Sequence, residues 1–182
     1  MLMIEKNSGR LNNNKKGRSI SELAMCGLFV AIAMIFSYVE SLLPIPFPVP
    51  GMRLGFANIA IITVLYMYGE RDAFAVNLVR IILSAMLFGN INSFLFSLSG
   101  GLVSLIVMTF SRKIRSFSII GVSALGGVTH NLVQILVAIW TLGSLFIGYL
   151  LPIFIVMGLV TGLLCGIVAR IFLKHVSKMK AK

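Results

Sequence analysis

The sequence predicts an all-α, polytopic membrane protein with six transmembrane helices and both ends in the cytoplasm. Three observations carry this: an excess of apolar residues, its division into runs of spanning length, and the placement of the basic residues. A soluble domain is about half apolar and about a quarter charged. Here 58% of the 182 residues are hydrophobic, 12% are charged, and the mean hydropathy is +1.01. A globule of this size cannot bury that much apolar surface, and large exposed apolar patches on soluble proteins mark binding sites or aggregation. The bilayer is therefore the expected solvent.

The net charge of +11 suggests nucleic acid until the positions are read. Lys6, Arg10, Lys15, Lys16 and Arg18 precede the first apolar run, and Arg170, Lys174, Lys178, Lys180 and Lys182 close the last. Arg112, Lys113 and Arg115 interrupt the middle of the chain. Clusters that flank apolar segments set topology, which leaves no nucleic-acid partner in this reading. Cys26 and Cys165 fall inside apolar runs, where a thiol acts as a small hydrophobe. The acidic residues are Glu5, Glu22, Glu40, Glu70 and Asp72, and none forms a chelating motif, so no metal and no cofactor is expected.

The elements follow in order. Residues 1–19 form a basic cytoplasmic tail, residues 20–173 one membrane domain and residues 174–182 a second basic tail. Helix 1 spans about 23–39; a signal peptide is the alternative, but no small-residue cleavage site follows. Alternate prolines from Pro44 to Pro50 remove donors and force extended backbone, so this stretch is a stiff loop. Helix 2 runs from about Arg53 to Tyr68 and is short, which implies little tilt or a preceding loop that dips into the membrane. Helices 3 to 6 cover about 73–88, 93–110, 117–140 and 147–172, suited to a core ~30 Å thick. The tails with Arg170 at the end of helix 6, the 69–72 turn and the 111–116 loop carry fourteen of the sixteen basic residues, which places all four in the cytoplasm. Arg53 and Arg80 break the pattern.

Polar side chains within hydrocarbon are expensive and normally face the bundle interior. On helix 5, Ser123, Gly127, His130, Asn131 and Gln134 recur at three- and four-residue steps and share a face. Asn77, Arg80 and Ser84 do so on helix 3, and Ser93, Ser97, Gly100 and Ser104 on helix 4; helix 2 adds Asn58. At ~1.5 Å per residue, His130 falls ~20 Å and Gln134 ~25 Å from Phe117, in the outer half, and Asn58 falls within ~8 Å of the outer boundary. Arg53, Asn58, Arg80, His130, Asn131 and Gln134 are thus the candidate lining of an outward-opening pocket, whose arginines lean toward an anionic small molecule.

No acidic residue is expected at the depth of Arg80, which leaves a carbonyl, a water, a headgroup or an anionic ligand as its partner. On that reading Arg80→Gln weakens anion binding and leaves the empty protein equally or more stable. Snorkelling, or hydrogen bonds to neighbouring Asn and Ser side chains, is the alternative for Arg80, and an interhelical bond the alternative for His130. Gly158, Gly162 and Gly166 make a helix-packing strip on helix 6. Ala24, Gly27 and Ala31 make a small-residue face on helix 1 that suits either internal packing or a docked partner.

The strings Pro50-Gly51-Met52-Arg53-Leu54-Gly55-Phe56-Ala57-Asn58-Ile59, Phe96-Ser97-Leu98-Ser99-Gly100-Gly101 and Gly126-Gly127-Val128-Thr129-His130-Asn131-Leu132-Val133-Gln134 carry a resemblance. Over about residues 20–172 the chain resembles the membrane family called heptaprenyl diphosphate synthase component I, or the Gx transporter family. More loosely, the spacing of its helices is similar to the S components of energy-coupling factor (ECF) vitamin transporters. The first label implies a membrane accessory of isoprenoid or quinone synthesis. The second implies a substrate-binding uptake subunit in a bacterial plasma membrane, docking a coupling subunit and ATPases through helix 1. A prenyl synthase holds Mg²⁺ on clustered aspartates because hard cations need oxygen ligands. Asp72 is the only aspartate, so neither label implies an enzyme in this chain alone. The S-component reading is the expectation, and the synthase accessory its alternative.

Overall fold

A computed structural model describes residues 20–42 and 51–180. The N-terminal tail and the proline-rich loop at 44–50 lie outside the described residues. The elements are α1 (Ile20–Leu42), α2 (Asn58–Met67), α3 (Glu70–Phe88), α4 (Ile91–Lys113), α5 (Ile119–Leu142), a 3₁₀ segment (Leu145–Leu150) and α6 (Leu151–Lys180), with no strand among the described residues. α1, α4, α5 and the Leu145–Lys178 stretch are each long and apolar enough to cross a membrane. α3 has 19 residues but includes Glu70, Arg71, Asp72 and Arg80, and α2 has only 10.

Local chemistry sets the joints. Gly69, at φ 102°, makes the sharp turn between α2 and α3, a backbone shape that suits glycine. Asn90 caps α4 by accepting the Ser93 N–H at 2.8 Å, and Ser118 caps α5 by accepting that of Gly121 at 3.2 Å. Pro152 sits in the first turn of α6, where its missing N–H costs nothing. α6 continues to Lys180, so the region expected as a tail from residue 174 extends the last helix.

The largest departure from the sequence reading is the start of helix 2. Residues 51–57 are irregular, and the helix begins at Asn58 rather than Arg53. The reason is Gly55, whose φ of 90° is incompatible with a right-handed helix. Met52, Arg53, Leu54 and Ala57 are nevertheless buried. This buried irregular segment is followed by a helix ~15 Å long.

α5 and α6 pack backbone to backbone. The Gly158, Gly162, Gly166 strip lies on α5, where a Cβ on Gly162 would stand 2.8 Å from Ala124 Cα and one on Gly166 would stand 2.8 Å from Ile120 Cα. Two apolar clusters bracket a polar layer. One holds Phe29, Ile61, Leu65, Val76, Met108 and Val122; the other holds Met52, Phe96, Ile135 and Phe154. Trp140, Phe146 and Tyr149 project outward beyond the second cluster, at 81%, 78% and 77% exposure. Aromatic side chains of this kind mark a membrane interface.

Candidate functional site: a closed polar layer

The polar layer assembles because each helix reaches it at a similar rise. Arg80 on α3, His130 on α5 and Asn58 at the start of α2 each lie ~15 to 17 Å from the end of the bundle marked by Gly69, Lys113 and Ile119, hereafter the basic end. That is half of a ~30 Å core. Asn58 therefore shares the level of Arg80 and His130 along the bundle.

The irregular segment is sheathed by side chains. Gln134 accepts the Arg53 N–H and donates to the Arg53 carbonyl, both at 2.9 Å, as a neighbouring strand would. Thr161 donates to the Leu54 carbonyl at 3.3 Å, and Glu40 Oε1 accepts the Gly55 N–H at 2.8 Å. Irregular backbone is tolerated at membrane depth only where protein satisfies its polar groups, and Gln134, Thr161 and Glu40 do so here.

Glu40 also corrects the expectation that Arg80 has no acidic neighbour. It is buried at the far end of α1 and interacts electrostatically with both Arg53 and Arg80. Arg80, 2% exposed, donates from Nε and Nη2 to Asn77 Oδ1 at 3.1 and 2.9 Å, while Asn77 Nδ2 donates to the Gly101 carbonyl at 3.0 Å. The hydrogen-bonding alternative for Arg80 is thus what its guanidinium does, and it does not snorkel.

His130 lies between two glycines. A Cβ on Gly100 would stand 3.0 Å from its Nδ1 and one on Gly55 would stand 3.3 Å from its Cδ2. Its Nδ1 faces the Gly100 backbone outside good hydrogen-bond geometry, and neither ring nitrogen has a hydrogen-bond partner among the described residues. Asn131 Nδ2 donates to the Phe154 carbonyl at 3.0 Å, which ties α5 to α6, and its Oδ1 is buried without a hydrogen-bond partner among the described residues. Arg53 Nη1 and the hydroxyls of Ser37, Ser97 and Ser104 are in the same state.

The six candidate residues do converge, but on a closed layer: none of them is more than 8% exposed. Arg53 is buried inside the bundle. Sequence reasoning overlooked Glu40, Thr161 and the part played by Asn77. A lone carboxylate inside an apolar helix was the available signal for Glu40. Two buried guanidiniums and one carboxylate leave the layer with spare positive charge and spare N–H donors, the chemistry that holds a small anion.

A family model described as heptaprenyl diphosphate synthase component I matches residues 29–172. The chain belongs to that family. The matched span contains every residue of the polar layer, from Ser37 to Thr161. No curated protein and no solved structure matches the chain. Family membership and the apolar helices together make it a multi-pass membrane protein of the component I family.

Proposed function

We propose that this component I protein is a non-catalytic membrane subunit that partners a separate prenyl diphosphate synthase. The family match carries the reading. It is supported by the residue inventory, in which Asp72 is the only aspartate and cannot by itself supply the oxygen cluster that Mg²⁺ and a diphosphate require. Among the described residues no group of His, Cys, Asp and Glu could hold a metal. The docking surface in this reading is α1, where Ala24, Gly27 and Ala31 lie exposed on one side and a Cβ on Gly27 would meet nothing within 4 Å.

The test is purification of the tagged protein in mild detergent followed by identification of its partners. Recovery of a soluble prenyl synthase supports the proposal. Recovery of an ECF coupling subunit with its ATPases, and no synthase, overturns it in favour of a substrate-binding uptake subunit. One observation favours that second reading, namely the buried and unpartnered Arg53 Nη1 and His130 nitrogens in one layer. It requires the layer to open, and it expects small carboxylates or phosphates to raise the melting temperature of the purified protein.

A further inference from the structure

At the basic end, two cavities meet in the groove between α3 and α4. The first, about 610 Å³, is polar and lined by Tyr68, Arg71, Asp72, Thr109, Arg112 and Lys113 among others. The second, about 310 Å³, is lined by Phe74, Leu102, Leu105, Ile106 and Phe110. Glu70, Thr109 and Lys113 border both, so the polar mouth opens directly onto the apolar cleft.

Three cations face the mouth against two acids, and Glu70 is engaged with Lys113 at 3.6 Å. Arg112 is held in place by donating to the Leu65 carbonyl and by lying 5.0 Å from the centre of the Tyr66 ring. That contact uses only one of its N–H donors. From Lys113 to Leu102 the cleft descends ~16 Å along α4, about the depth of one leaflet of a ~30 Å core. Its walls face outward, with Ile106 at 53% and Phe110 at 65% exposure.

We infer that this groove binds a phosphate-headed amphiphile, its head among Arg71, Arg112 and Lys113 and its chain along Phe74, Ile106 and Phe110. A basic mouth at headgroup level above a leaflet-deep apolar cleft complements both halves of such a molecule. A free anion has no use for the cleft, and an uncharged lipid none for the arginines. The site is separate from the polar layer and rests on neither reading of function. Phosphatidylglycerol from the bilayer and a soluble prenyl diphosphate share the required chemistry.

The experiment measures retention on the purified full chain by native mass spectrometry, with melting temperature as a folding control. The probes are phosphatidylglycerol, farnesyl diphosphate, inorganic phosphate and phosphatidylcholine. Arg71→Gln is expected to weaken the charged amphiphile about tenfold, the scale of one charge-assisted hydrogen bond. Ile106→Trp is expected to abolish its binding by filling the cleft, and Leu102→Trp serves if that variant does not fold. Retention of phosphatidylglycerol alone supports the site with the bilayer as its source, and retention of farnesyl diphosphate alone supports it with a soluble source. Equal retention of phosphatidylcholine, or unchanged affinity in both variants, overturns it. Inorganic phosphate that binds as tightly and survives Ile106→Trp overturns the amphiphile.

Discussion

Glu40 governs what the two buried arginines cost. A charge without a partner in hydrocarbon is expensive, and removing one member of a buried ionic group costs more than the group contributed, because the other charges remain. Glu40→Gln keeps an oxygen that can accept the Gly55 N–H but leaves Arg53 and Arg80 uncompensated. It is expected to lower stability by ~3 to 5 kcal/mol in denaturant titration of the detergent-solubilised protein. Adding Arg53→Gln should recover part of that loss, since coupled charges are non-additive. No loss in Glu40→Gln would show that the carboxylate is not compensating the guanidiniums. The same electrostatic coupling reverses the expectation for Arg80→Gln. The empty protein should become less stable, because the variant deprives Glu40 of a counter-charge and Asn77 of its charged donor. A more stable Arg80→Gln protein would restore the sequence-based view of an uncompensated charge.

Among the elements, the segment at 51–57 depends most on a single distant side chain. Gln134 hydrogen-bonds both the backbone N–H and the carbonyl of Arg53, so Gln134→Ala strands a buried N–H and a buried carbonyl, at ~1 to 3 kcal/mol each. Hydrogen exchange should accelerate at the Arg53 amide in this variant while the α5–α6 contact stays protected. Unchanged exchange at Arg53 would mean that the segment is held by other contacts. The two small-residue faces should separate just as clearly. Gly162→Val drives a branched side chain into the α5 backbone and is expected to cost more than the ~1 to 3 kcal/mol of ordinary overpacking. Gly27→Leu, which meets open space, is expected to leave the melting temperature unchanged and to abolish partner co-purification. A destabilised Gly27→Leu protein would assign that face to internal packing.

For the whole molecule, the charge asymmetry still predicts six crossings with both termini in the cytoplasm. In the structure the segment expected as the second crossing is an irregular buried stretch at 51–57 followed by a ten-residue helix, shorter than a spanning helix. Single cysteines at positions 114 and 144, in a background lacking Cys26 and Cys165, should react with an impermeant reagent from opposite sides of the membrane. Labelling at position 114 from outside the cell would overturn the orientation. Labelling of both positions from one side would remove a crossing between them.

The sequence by itself determined the solvent, the class and the inward faces. Apolar excess is a property of composition, and a stripe such as Ser123, Gly127, His130, Asn131 and Gln134 is local helical geometry, legible wherever the period holds. It also brought together the residues of the candidate layer, because polar groups in hydrocarbon have few other places to go. Only the tertiary structure decided which of them touch and whether they open outward. Depth counted along separate helices does not say where Glu40 meets Gly55, or that Gln134 stands in for a strand beside Arg53, since those contacts cross 15 and 81 residues of chain. The close approach of α5 and α6 at glycine is a tertiary fact of the same kind. Sequence spacing shows that such an approach is allowed, while the partner backbone and the angle of approach depend on all the packed helices together.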